Sequence, residues 1–208
     1  MLNRHNASNK KFSIKSIDMA EYTKKILEWP MLPNGTHFTW LVNYAAYNAF
    51  GTFELSDKEW EDRNLISNFK GNSELTTEMD HQHALQEVIK MVTLHINEVF
   101  GTETKDLTLV CIPASKKFHT ERRFKSFSIA VCKSTGMENA YDHFSYEVID
   151  DEDKPDTLQV DEPYFEEKKV LVFDDLISTG GSICRFIDKL KALGADVVAA
   201  MALGKTLR

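Results

Sequence analysis

The chain has 208 residues, 42% hydrophobic and 27% charged, which is enough apolar material for one domain with a buried core and excludes global disorder. Five prolines and nine glycines exclude collagen-like and low-complexity sequence. Three separated cysteines (Cys111, Cys132, Cys184) argue against a disulfide scaffold or a CxxC zinc site, and the net charge of −7 argues against a broad nucleic-acid surface.

In chain order, residues 15–28 predict a helix that ends before Pro30. Residues 37–53 are dense in aromatics (Phe38, Trp40, Tyr44, Tyr47, Phe50, Phe53) and read as core or as a small cap over an active site. Leu85, Val88, Ile89, Val92, Ile96 and Val99 form a helical stripe closed by Gly101. Residues 107–112 read as a buried strand and 113–117 as the loop after it. A helix over 121–135 follows, with Phe124, Phe127 and Val131 on one face and Gly136 at its end. Residues 143–149 predict a strand, and the acidic stretch through Pro155 and Pro163 a long loop. The last elements are a strand at 169–173, a helix at 181–193 ended by Gly194, and a strand at 197–202. This alternation implies a parallel sheet with right-handed crossovers.

Charge is unevenly spread. Residues 150–167 hold nine acids against Lys154, whereas 116–125 hold five bases against Glu121. A compact basic patch suits a phosphorylated small molecule, although a strip of this size can touch a single DNA strand. His81, His83 and His95 fall on one predicted helix. Positions 81 and 83 do not share a face, so solvent or rim positions are expected rather than a metal pair. No apolar run reaches the roughly 18 residues of a membrane span. The first residues lack the apolar core of a secretory signal, so Asn6-Ala-Ser8 and Asn34-Gly-Thr36 are not read as glycosylation sites. A soluble, cytoplasmic protein is expected, with no membrane partner.

The most informative segment is VLVFDDLISTGGS, residues 170–182. A buried strand ends in Asp174 and Asp175, and Ser178, Thr179, Gly180, Gly181 and Ser182 then open a helix. Backbone N–H groups at a helix start suit a phosphate, and glycines let the backbone approach it. The two carboxylates suit the hydroxyls of an attached sugar, as acceptors of hydrogen bonds.

This segment resembles the 5-phosphoribosyl 1-pyrophosphate (PRPP) signature of type I phosphoribosyltransferases. Leu65-Ile-Ser-Asn-Phe-Lys-Gly71, Pro113 with Glu121-Arg-Arg-Phe124, and Ala202-Leu-Gly-Lys-Thr206 resemble the ComF-type branch. This chain has Arg123 where that branch usually has Gly, and it lacks the cysteine-rich N-terminal segment of many members. The resemblance implies an α/β fold: an open, mainly parallel sheet flanked by helices. Residues 61–208 would form the core and 1–60 a small N-terminal hood, with 143–168 a flexible loop. It implies PRPP or a nucleoside monophosphate as ligand, Mg²⁺ held mainly by that ligand with Asp174 and Asp175 as candidate protein ligands, and a homodimer. Residues 178–182 would take the 5-phosphate, and Asp174 and Asp175 the ribose. Ala114, Ser115, Lys116, Arg122 and Arg123 would meet the pyrophosphate. Two functions are expected to compete: phosphoribosyl transfer to a nitrogen acceptor, and catalytically silent PRPP or nucleotide binding, including a DNA-uptake accessory role.

Overall fold

The computed structural model describes residues 21–45, 55–71, 76–151 and 153–207. The predicted helical residues 15–20, and Tyr47, Phe50, Phe53 and Glu152, lie outside them. The elements are α1 (Glu21–Ile26), β1 (Phe38–Ala45), α2 (Asp57–Lys70), α3 (Glu78–Phe100), β2 (Thr108–Cys111), α4 (Lys117–Thr120), α5 (Ser126–Thr135), β3 (Glu138–Asn139), β4 (Phe144–Glu147), β5 (Thr157–Val160), β6 (Lys169–Ile177), α6 (Gly181–Ala192) and β7 (Asp196–Leu207). A π-helical turn, Glu121–Lys125, joins α4 to α5.

Five strands form one sheet in the order β1-β7-β6-β2-β3, every neighbouring pair parallel. Val170, Leu171, Val172 and Phe173 are wholly buried, as a central strand covered on both faces requires. Leu171 and Phe173 face a core built with α2, α3 and α5, and Val170 and Val172 face one built with α6. On the first face Phe127 stacks on Phe173 at 4.6 Å, with Phe69 and Phe124 packed edge-on around the pair.

Local chemistry fixes the helix ends. Ser56 with Glu59, and Thr77 with Asp80, form capping boxes at the starts of α2 and α3. Gly71 and Gly136 close α2 and α5 in the left-handed conformation.

Four expectations change. Phe38, Trp40 and Tyr44, expected within an N-terminal hood, lie on β1 and pair with β7 along seven register positions, so this part of residues 1–60 belongs to the central sheet. The helix expected from 121 starts at Lys117 and contains the π turn. The acidic stretch expected to be a loop contains β5, which pairs antiparallel with β4; Leu158 and Val160 supply a period-two pattern that the surrounding acids mask. His81, expected at solvent or the rim, is 2% exposed, its ring nitrogens lying 2.8 Å from the Asn68 carbonyl and 3.2 Å from that of Arg122. Among the described residues no helix is long and apolar enough to cross a membrane.

Candidate functional site

β6 carries its acids to the carboxyl edge of the sheet, and the chain turns through Ser178, Thr179 and Gly180 into α6. Ser178, Thr179 and Ser182 are exposed, so the turn is open to solvent. Gly180 is buried with φ 83°, and a Cβ there would sit 3.3 Å from Leu32 Cδ2 and 3.5 Å from Pro33 Cδ. Glycine is therefore favoured by the left-handed backbone, with little room to spare beside Leu32. The Thr179 hydroxyl accepts the Gly181 N–H at 3.4 Å. A shallow cavity of about 200 Å³ runs over the turn, lined also by Met31, Phe38 and Lys205.

The wall behind the turn is fastened to α6. The Asn34 side chain donates to Asp188 at 2.8 Å, and Lys191 donates to the Thr36 hydroxyl at 3.0 Å. Two cations flank the turn that sequence reading did not single out. Arg185 Nη1 lies 3.6 Å from the Cβ position of Gly181, and Lys205 Nζ lies 5.4 Å above the Trp40 ring. Arg185 follows Gly181 by four residues, a helical spacing visible in the sequence; Lys205 joins the turn only through sheet pairing, opposite Ile177.

The two acids have different surroundings. Asp175 is buried and paired, 2.8 Å from Arg123 Nη1 and 3.1 Å from Lys70 Nζ. Asp174 is half-buried and forms no ion pair among the described residues; its Oδ1 accepts the Asp175 N–H at 2.8 Å. Burial and then the negative charge of Asp175 push the Asp174 carboxyl up to about 7.

Arg122 and Arg123 are not gathered at the carboxyl edge as free cations. Arg122 donates from Nε to the Gly71 carbonyl at 3.1 Å and from Nη1 to Glu78 at 2.9 Å. Arg123 donates from Nε to the Lys70 carbonyl at 3.3 Å and holds Asp175 with Nη1. Guanidinium groups this enclosed take acceptors from neighbouring elements, and here α2 and α3 supply them. Two of the five cations of the 116–125 strip, Arg122 and Arg123, are thus engaged within the protein, while Lys125 is exposed.

The loop after β2 leaves the sheet beside the acids, since the Ile112 N–H donates to the Phe173 carbonyl at 2.9 Å. Ala114 is held twice: its N–H donates to Thr120 Oγ1 at 2.7 Å, and its carbonyl accepts the Tyr146 hydroxyl at 2.8 Å. Ser115, Lys116 and Lys117 all meet Asp156 of the β4–β5 hairpin. The Ser115 carbonyl accepts the Asp156 N–H at 2.8 Å, the Lys117 N–H donates to its carboxylate at 2.8 Å, and Lys116 Nζ lies 3.4 Å from it.

Among the described residues no group of three or more His, Cys, Asp or Glu side chains forms a metal cage. Asp174, a half-buried carboxylate with no ion pair among the described residues, is the acid whose chemistry would fit a divalent ion, the remaining ligands then having to come from outside the protein.

No family model matches the sequence, and no curated protein matches it. Solved structures show similarity of shape. Among them are a hypoxanthine-guanine-xanthine phosphoribosyltransferase (17% identity, TM-score 0.34, 59% of this chain and 63% of that one), the phosphoribosylpyrophosphate synthetase of Mycobacterium smegmatis (19%, 0.34, 55% and 33%), and a purine phosphoribosyltransferase of Pyrococcus horikoshii Ot3 (12%, 0.33, 58% and 82%). The match spans less than two thirds of the first two chains.

Proposed function

We propose that the protein binds PRPP together with Mg²⁺ and transfers its phosphoribosyl group to a nitrogen acceptor, with release of pyrophosphate. The observation that carries this reading is an open Ser178–Ser182 turn at the sheet's carboxyl edge, beside Asp174, an acid with no ion pair among the described residues. The N–H groups and hydroxyls of 178–182 hold the 5-phosphate, and Arg185 and Lys205 add positive charge at the rim. Asp174 accepts from the ribose hydroxyls. The Asp175 N–H positions the Asp174 carboxylate, while Lys70 and Arg123 neutralise the Asp175 side chain. The 114–117 loop lies on the pyrophosphate side. When bound, Mg²⁺ neutralises charge on the leaving group, with Asp174 the protein residue placed to hold it.

The segments that carry the ComF-type resemblance meet in space, although one of these contacts is made by Arg123, where that branch usually has Gly. Lys70 from 65–71 and Arg123 from 121–124 share Asp175, and Ile66 packs where a Cβ on Gly204 would stand. Segments far apart in sequence thus surround one pair of acids.

A second reading, PRPP or nucleoside monophosphate binding without turnover, is favoured by one observation: Lys116, Arg122 and Arg123 all bind groups of the protein itself. A pyrophosphate-release assay with PRPP, Mg²⁺ and a panel of free bases and amines separates the two. Release with at least one acceptor, reduced tenfold or more in Asp174→Asn, is expected for the transferase. Binding with no release for any acceptor selects the second reading, and no PRPP binding at all removes both.

A further inference from the structure

We infer that the Asp156 carboxylate is a built-in occupant of an anion site on the 114–117 loop, displaced when a diphosphate binds there, so that the β4–β5 hairpin regulates access to that site. The inference rests on the reading that this loop faces the pyrophosphate of PRPP.

Asp156 is 8% exposed, while the neighbouring Asp150 and Asp153 are exposed. Its carboxylate accepts the Lys117 N–H at 2.8 Å and the Ile149 N–H at 3.2 Å, with Lys116 Nζ at 3.4 Å. Backbone N–H groups plus an ammonium are the donor set a phosphate oxygen takes, so carboxylate and phosphate compete for the same atoms. The Lys117 N–H, ahead of the other contacts, holds the Asp156 carboxyl below the usual range, so the occupant is an anion at neutral pH.

The latch is polar. Phe144, at the hairpin's base, packs against Phe165 and Phe186. Val148, toward the tip, is 63% exposed, and a hollow of about 610 Å³ opens between Lys116–Glu121 and Val148–Asp156. Lys116 also donates to the Asp151 carbonyl at 2.7 Å. Opening the tip therefore exchanges hydrogen bonds and an ion pair but exposes little apolar surface. This gives the acidity of 150–167 a physical consequence, because the closed hairpin repels an anion that does not bind strongly enough to displace Asp156.

Calorimetry on the full chain tests this with Mg²⁺–pyrophosphate, ribose 5-phosphate and PRPP as probes. Asp156→Asn is expected to bind pyrophosphate at least fivefold tighter than wild type, with ribose 5-phosphate affinity unchanged. A second measurement needs no variant: saturating wild type with pyrophosphate is expected to speed hydrogen exchange of the Asp156 amide, which donates to the Ser115 carbonyl in the closed hairpin, at least tenfold. Equal or weaker pyrophosphate binding by a folded Asp156→Asn, no pyrophosphate binding by either protein, or an Asp156 amide that stays protected in the complex overturns the inference. If PRPP still binds in those cases, the ligand reading survives. If pyrophosphate behaves as expected but PRPP and ribose 5-phosphate bind neither protein, the ligand reading fails and the latch stands.

Discussion

Asp174 and Asp175 are adjacent in sequence and opposite in circumstance. Asp175 has two cations, so its charge is compensated inside the protein. Asp174 has none among the described residues, and its folded-state value of about 7 lies above that of an unfolded aspartate. Between roughly pH 4 and 7 the native state holds a proton that the unfolded chain has lost, so this residue makes stability fall as pH rises through that window. Asp174→Asn is expected to raise the melting temperature at pH 8, with the gain shrinking toward pH 4. Asp175→Asn is expected to do the reverse at neutral pH, losing about 3 kcal/mol by denaturant titration because the largely enclosed Arg123 and the partly exposed Lys70 lose their shared carboxylate. Equal effects from the two changes would contradict the division of roles. The sequence shows two acids in a row; it does not show that they differ. That difference comes from Arg123, 52 residues away, and no local pattern reports so distant a pair.

At the scale of elements, the β6–turn–α6 unit was legible because each of its parts has a local cause. Four apolar residues make the strand, and Ile183, Ile187 and Leu190 make the buried stripe of α6. The two glycines of the turn are separable by experiment. Gly180→Ala forces a side chain into φ 83° against Leu32 and is expected to cost about 1–3 kcal/mol of stability. Gly181→Ala makes only ordinary contacts, 3.6 Å to Arg185 and 3.7 Å to Thr179, and is expected to leave the melting temperature within a few degrees while weakening ribose 5-phosphate binding severalfold. Gly204 marks the close approach of α2 to β7, where a methyl group would run into Ile66 Cδ1; Gly204→Ala is expected to destabilise by about 1–3 kcal/mol of overpacking, read from the denaturation midpoint. The β4–β5 hairpin was not legible, because acids around Leu158 and Val160 give the segment the composition of a loop while its backbone pairs as strands.

Across the whole molecule, helices separate β2 from β3 and β6 from β7 as the sequence pattern indicates, and these strands join one all-parallel sheet, whereas β3, β4, β5 and β6 follow one another with no α-helix between them. The role of β1 was hidden: an edge strand rich in aromatics resembles a cap until its partner, β7, is known. Parallel pairing joins residues some 160 positions apart here, Phe38 with Ala200, a separation that hydrophobic periodicity cannot encode. The same assembly brings Lys70, Arg123, Asp175 and the Ser178–Ser182 turn to one edge of the sheet, which is why a single ligand is proposed for it. The direct test is calorimetric titration of wild-type protein with PRPP and Mg²⁺, repeated on Asp174→Asn. Saturable binding that weakens tenfold or more in the variant is the expected result; no binding by a folded wild type, or equal affinity in both proteins, would contradict a ribose-phosphate site at this edge.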